Sequence, residues 1–301
     1  MKIKDIVIKL LRPVSKLLNK IVLKKYYKAN KNLSNIDQSE TILIFAPHMD
    51  DETIGLGGTI KKHKQANSNI HCVFVTDGGK SVSDLSAQTL SEIRKDEVNK
   101  VADLLGIDQL YFMDLPDGEV KSTAETVNIA RDYIKDLDPD IIYIPLFVDA
   151  HPDHIATAEI IANALYEEEN TKCKVRLYEI NCAIPPKYIN CVIDITDTFK
   201  DKVAAIEVFK SQAIHFDGFI ELSKLKVHLL SNSKNVKNVE GFIELSPSEL
   251  YKHKGLVLAD GRDYHTHFKQ INREETLIWA IYKSKKLKDF LYKKSLSFLI
   301  K

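Results

Sequence analysis

Two short clusters of ionisable residues, about a hundred positions apart, carry the side chains best suited to chemistry. His48, Asp50, Asp51 and Glu52 fall in "APHMDDE", and His151, Asp153 and His154 in "DAHPDH". His48 and Asp51 are three apart across a turn, so an imidazole nitrogen and a carboxylate oxygen can aim at a common centre. A third ligand from the second cluster would give a three-ligand zinc site with a position open for water, as catalytic zinc requires. Zinc lowers the pKa of such a water towards ~7, and a carboxylate left uncoordinated beside it can take the proton. Neighbouring loop residues point different ways, so Asp50 and Asp51 can divide these two jobs. The second cluster has two histidines where one ligand suffices. The spare, His151, could be protonated and stabilise an oxyanion, with Asp153 to orient it. Iron(II) suits a two-histidine, one-carboxylate set as well.

Each cluster alone has a plainer explanation. An Asp-Asp-Glu run caps helices and fills solvated turns, and paired histidines occur by chance on surfaces. The two gain weight jointly from the elements that must position them. "TILIFA" is a continuous apolar run of the kind found in strands buried on both faces, and "DIIYIPL" is another. Each ends where a histidine-bearing cluster begins. Between and beyond them, helical stretches ("GLGGTIKKHKQAN", "SAQTLSEIRKDEVNKVADLLG", "STAETVNIARDYIKDLDP", "HIATAEIIANALYEEE") alternate with strands ("IHCVFVT", "QLYFM"). That alternation predicts an α/β fold, a mostly parallel sheet sandwiched by helices. In such sheets ligands collect outside the carboxyl ends of the strands. Ser122 and Glu125 read as a capping box for the third of these helices. "KVRLYEIN" and "YINCVIDIT" look like later strands and "DTFKDKVAAIEVFKSQ" like a helix, while residues 216–273 give no regular pattern.

"APHMDDE" together with "HPDH" resembles the PIG-L/LmbE family of zinc-dependent N-acetylglucosaminyl deacetylases. "TDGG", "LPDG", "RKDEVNKVADLLG" and "VIDITDTFKDKVAAIEVFKSQ" extend the resemblance over about residues 41–212. It implies a Rossmann-like fold and hydrolysis of the acetamide of an N-acetylated amino sugar. It assigns His48, Asp51 and His154 as zinc ligands, Asp50 as general base and His151 as the acid or electrophilic histidine. Arg94 and Asp117 resemble positions that contact the sugar in some members. Met49 stands where the family usually has proline, so the loop lacks the constraint that holds φ near roughly −65°.

Composition bounds the partners. A net charge of +1, with 44% hydrophobic and 28% charged residues, describes an ordinary globular chain and does not point to nucleic acid. The charge is uneven, however: the first 31 residues hold ten lysines and arginines against one aspartate. Ile3, Val7, Leu10, Val14, Leu17 and Ile21 fall on one helical stripe, with lysines opposite, and Pro13 predicts a kink. Such a helix suits an anionic membrane interface, and equally a protein contact, either on this chain or in a homo-oligomer. Leu287, Phe290, Leu291 and Phe298 repeat the theme among the C-terminal lysines. Residues 1–35 therefore read as a basic amphipathic extension and 36–301 as the deacetylase-like domain, elaborated from about 216. Four cysteines without a CxxC pair suggest free thiols in the cytoplasm. No run of 18 apolar residues predicts a spanning helix, and no signal peptide is expected. The peripheral site implied is the inner face of the membrane, where a lipid-linked sugar would be the substrate. A soluble glycoside such as a thiol cofactor precursor is the alternative, and a non-catalytic sugar-binding or scaffold protein a third. "YHTH" at 264–267 reads as a surface turn rather than a source of site histidines.

Overall fold

The computed structural model describes residues 3–80, 85–168, 172–212, 214–259, 261 and 263–299, with side chains from residue 13 onward. Among the described residues, the strands are β1 (Thr41–Ala46), β2 (Asn69–Thr76), β3 (Gln109–Leu115), β4 (Ile141–Pro145), β5 (Lys174–Tyr178), β6 (Cys191–Asp194) and β7 (Val239–Leu245). They form one sheet in the order β3-β2-β1-β4-β5-β7-β6. β1 to β5 run parallel, and β7 pairs antiparallel with β5 on one side and β6 on the other. The apolar runs of β1 and β4 are buried along their length, apart from Thr41, because helices cover both faces.

One helical layer comprises α2 (Asp51–Gln65), α3 (Ala87–Leu105) and α6 (Phe199–Ile206). Another comprises α4 (Ala124–Leu137), α5 (Pro152–Glu167), α8 (Pro247–Leu258) and α10 (Lys285–Leu296). α2 lies so close to β5 that a Cβ on Gly55 would come within 2.2 Å of the Tyr178 ring. Only glycine permits that approach, which brings the amino end of α2 over the sheet edge. Lys202 and Glu240, both buried and 2.5 Å apart, tie α6 to β7, and the Thr59 amide donates to the same carboxylate.

Several boundaries differ from the sequence reading, in ways that matter for the site. α2 begins at Asp51 rather than at the glycines, and α5 at Pro152 rather than at His154. Asp51, Asp153 and His154 therefore sit on first helical turns, held more rigidly than loop residues. The capping box of α4 is Thr123 with Thr126, one residue beyond the expected pair. The irregular stretch folds as α7 (Asp217–Leu225), β7 and α8, completing the sheet and its second layer.

The ends also depart from expectation. α1 (Ile3–Tyr26) runs through Pro13 as one helix. The expected stripe members Ile3, Val7 and Leu10 lie outside the residues whose side chains are described. Leu23 and Tyr27 are buried, and Tyr26 stacks obliquely on Tyr282 of α9 (Leu277–Tyr282). Of the expected C-terminal stripe, Leu291 is buried and Leu287 partly so, whereas Phe290 and Phe298 are exposed; the inward face of α10 is instead Leu291, Tyr292, Ser295 and Leu296. No helix among the described residues is long and apolar enough to cross a membrane.

Candidate active site

The chain winds from β1 outward through β2 and β3, then crosses back to β4 on the other side of β1. The order therefore reverses between β1 and β4, and the crevice at such a reversal is where ligands bind in open α/β sheets. The segments leaving β1 and β4 carry the two clusters into that crevice.

His48 Nδ1, Asp51 Oδ2 and His154 Nε2 form a triangle with sides of 3.1, 3.2 and 3.3 Å. Metal bonds of about 2.0–2.1 Å in tetrahedral array would separate the donor atoms by roughly 3.3 Å. The three atoms thus match one face of a zinc tetrahedron and leave the fourth corner towards the cavity. A His151 nitrogen also lies within 4.8 Å of ligand atoms of His48 and His154. The tighter triangle is the better metal face, because His151 Nδ1 already accepts the Asp153 amide at 3.2 Å.

Both histidine ligands are backed by carboxylates. His154 Nδ1 lies 2.9 Å from Asp149 Oδ1. His48 Nε2 lies 3.3 Å from Asp153 Oδ2 and 3.4 Å from Asp117 Oδ1. A carboxylate behind an imidazole fixes the proton on the far nitrogen and frees the near lone pair for metal. Asp149 is fixed in turn, accepting from the backbone amide and side chain of Asn181 and the amide of His151.

Asp50 differs from its neighbour. Its carboxyl lines the cavity, is buried, and accepts no hydrogen bond from the described residues. Burial, and then the charge of Asp51, push its pKa up to about 7. Asp51 is also buried, but the facing His154 and His48 hold its carboxyl well below the usual range. Two adjacent aspartates are thus separated into an anchored ligand and a poised base. A dication at the triangle would add positive charge and lower Asp50 from that value.

Two expected roles change. Asp153 was to orient His151, yet its carboxylate accepts the Gly118 amide (2.7 Å) and the Val120 amide (3.3 Å) and faces His48. It braces the "LPDG" turn and a ligand, because the first turn of α5 aims it away from the His151 ring. His151 was expected as an imidazolium. Burial first, and then the charged His154 and His48, lower its pKa to about 4, and its Nδ1 is spent as the cap of α5. With Nδ1 accepting the Asp153 amide, the ring leaves its Nε2 side free to donate.

The open cavity over these groups holds about 210 Å³. Arg94 reaches it from α3, donating to the Gly78 carbonyl (2.5 Å) and the Gln212 side chain (3.0 Å). Asp117 lines it and accepts the Lys80 amide at 3.2 Å. Met49 is fully buried, and its carbonyl accepts from Gln212, so packing holds the loop without a proline. Sequence reasoning did not single out Asp149, Lys80, Asn181, Gln212, Phe219 or Gln270, all at or behind the cavity. Asp149, two residues before His151 after a buried strand, was findable. Phe219 and Gln270 come from the stretch without a pattern. His63, against the Tyr143 hydroxyl at 2.9 Å, and His71, near that of Tyr111, do not line the cavity, nor do Tyr264–His267.

The fold and the triangle define a Rossmann-like α/β protein with a two-histidine, one-aspartate cluster able to hold a metal ion. Residues 43–165 match the model of the PIG-L family, GlcNAc-PI de-N-acetylase. The diacetylchitobiose deacetylase of Thermococcus kodakarensis is 31% identical over 42% of this chain and 49% of its own length. The chain spans about half the length of the curated relatives it matches. Among solved structures, the N,N'-diacetylchitobiose deacetylase of Pyrococcus horikoshii superposes with a TM-score of 0.59 at 25% identity, covering 82% of this chain and 94% of that one. GalB of Pseudomonas putida KT2440, a 4-carboxy-2-hydroxymuconate hydratase, shares the fold at 18% identity, with a TM-score of 0.58 over 68% of this chain and 96% of its own. The fold therefore does not by itself fix the reaction.

Proposed function

We propose that the protein is a metal-dependent N-deacetylase of N-acetylglucosamine-type substrates, using zinc, with iron(II) the other ion its ligands suit. The observation that carries this reading is the unpartnered Asp50 carboxyl beside a triangle of three donors at tetrahedral spacing. His48, Asp51 and His154 would hold the ion, and Asp149, Asp153 and Asp117 would orient the two imidazoles. When bound, zinc supplies Lewis acidity and a water of lowered pKa.

The chain's own groups perform the rest. Asp50 takes the proton from the water that attacks the acetamide carbon. His151 Nε2–H donates to the oxygen as negative charge develops on it. The proton held by Asp50 then passes to the amine nitrogen, and acetate and free amine leave. Arg94 and Asp117 border the cavity where sugar hydroxyls would lie. Its volume is below the roughly 300–1,000 Å³ of drug-sized pockets, which suits one acetamido sugar rather than a chain of them.

The residues from 36 onward form the catalytic domain and 1–35 an extension. We place the protein in a reducing compartment, the cytoplasm, because all four cysteines are buried and free. The preferred substrate is a glycoconjugate or lipid-linked precursor in glycan biosynthesis, processed at the membrane's inner face. A soluble glycoside would be turned over without lipid. Acetate release is the test, from free N-acetylglucosamine through nucleotide-linked and glycoside forms to a polyprenyl-linked form. Release by the zinc-loaded protein, absent after chelation and restored by zinc, is expected. Bound metal with no release from any of them would overturn the deacetylase reading.

A further inference from the structure

The outer face of α1 is out of keeping with a free surface. Val14, Leu17 and Ile21 are 55%, 60% and 61% exposed, with Leu18 beside them. Their spacing of three and four makes one stripe along the helix. The opposite face is already committed to the protein. Asn19 donates to the Glu274 carbonyl at 2.5 Å, Lys16 pairs with the Glu274 carboxylate at 2.9 Å, and Leu23 and Tyr27 are buried. The stripe is therefore not the helix's docking face on its own domain.

At the carboxyl end of α1 the stripe runs into a cavity of about 560 Å³. Ile21 belongs to both. Lys24 and Lys25 line the cavity from the helix and Lys28 from just beyond its end, and His228, Ser231 and Ser233 line it too. The Ala29 amide donates to the His228 carbonyl (3.3 Å) and the Lys31 amide to the Leu229 carbonyl (2.9 Å), so the two walls are stitched together. No carboxylate is among the described lining residues. Three ammonium groups here face the Ser233 hydroxyl and an imidazole, able to donate to an anion's oxygens, while the Ser231 hydroxyl donates to the Lys31 carbonyl (3.2 Å).

We propose that α1 docks the protein on an anionic lipid bilayer, its stripe entering the acyl boundary and a headgroup phosphate held among Lys24, Lys25, Lys28, His228 and Ser233. Apolar side chains beside a phosphate-sized basic cavity reproduce the order of an interface, acyl chain next to headgroup. Charge selects this occupant over a second copy of the chain. An isologous dimer through this face would bring the same lysines against each other. The docked layer is also the wall of the catalytic cavity. α1 packs on 274–276, Phe219 and Gln270 line that cavity, and the Gly218 amide donates to the Asn272 carbonyl between them. The inference is independent of the metal site and the deacetylase reading.

The test is co-sedimentation of the full chain with phosphatidylcholine vesicles, with and without phosphatidylglycerol. Binding only to the anionic vesicles is expected. Lys24→Gln with Lys28→Gln should weaken it by roughly twenty-fold, at about fivefold per lysine near an anionic surface. Ile21→Ser should weaken it as well. Both variants should melt at the wild-type temperature, since the altered side chains make no contact the fold depends on. Equal binding to neutral vesicles, or none to either, would overturn the proposal. So would calorimetric binding of inorganic phosphate at the same lysines without vesicle binding, which would assign the cavity to a soluble anion. A dimer in sedimentation velocity that dissociates on Ile21→Ser, with vesicles ignored, would assign the stripe to a second copy.

Discussion

The strand-end cavity and the outer face of α1 are each built from side chains that folding alone disfavours: buried carboxylates in one, exposed aliphatics in the other. They differ in what compensates them. In the cavity nearly every buried polar group has a partner. Asp149 faces His154, Asp153 holds two amides and faces His48, and Asp51 faces both histidines. Asp50, with no such partner, is the group assigned to chemistry. On α1 no described residue covers the exposed aliphatics, and the bilayer proposed above would supply the compensation. An internal network therefore reveals a reaction, whereas an external face reveals only the kind of surface it meets.

The comparison can be broken at its strongest point first. Asp50→Asn should retain bound zinc and lose about 10²–10⁴ in turnover, the range for a general base, read by acetate release alongside metal content. A variant with near-normal turnover would move the base elsewhere. Next come the two terminal helices. Leu291→Ala, on the packed face of α10, should cost about 2–5 kcal/mol in urea unfolding. Leu17→Ala, on the exposed stripe, should stay within about 0.5 kcal/mol. A large loss at Leu17 would mean that its face is covered in the free protein. Asp149→Asn should then lower zinc affinity by about 10–100-fold, as carboxylates behind metal-binding histidines do. Competition with a chelator measures this.

The smallest effect is one of pH. Burial lowers the pKa of His253 to about 3, and neither ring nitrogen has a hydrogen-bond partner. Between about 3 and the unfolded value near 6.5, the unfolded chain holds the extra proton. Stability should therefore fall as pH drops below about 6.5, by about 1.4 kcal/mol per pH unit for this residue. His253→Phe should flatten that limb by this amount in urea titrations at several pH values, with no change above 6.5. An unchanged limb would mean that His253 is not held neutral. Such a result would separate buried polar groups that carry function from those that only cost stability.

Much of this was legible in the residues. Continuous apolar runs such as "TILIFA" and "DIIYIPL" can only be strands covered on both faces, and alternation with helices makes the sheet parallel. The triangle of His48, Asp51 and His154 follows, because two strands of one sheet deliver both clusters to the same edge. Asp153 was misplaced because the direction of a carboxylate depends on where its helix starts, and a start two residues earlier aims it at His48 instead of His151. The backbone contact of His151 was missed for a related reason. Its Nδ1 became a helix cap, which no spacing along the chain displays.

The sequence by itself determined the types and order of the elements from β1 to α6, the two clusters and the amphipathic character of α1, all of which arise from neighbours along the chain. Only the tertiary structure decided which carboxylate backs which imidazole and that Ile214, Phe219 and Gln270 wall the cavity. It alone also decided that Val14, Leu17 and Ile21 of α1 face outward and that α10 packs through Leu291, Tyr292 and Leu296 rather than through Phe290. These depend on groups distant in sequence meeting at separations of about 3 Å, where hydrogen bonding and charge act. A periodic pattern fixes the face a helix presents, and only packing fixes what that face meets.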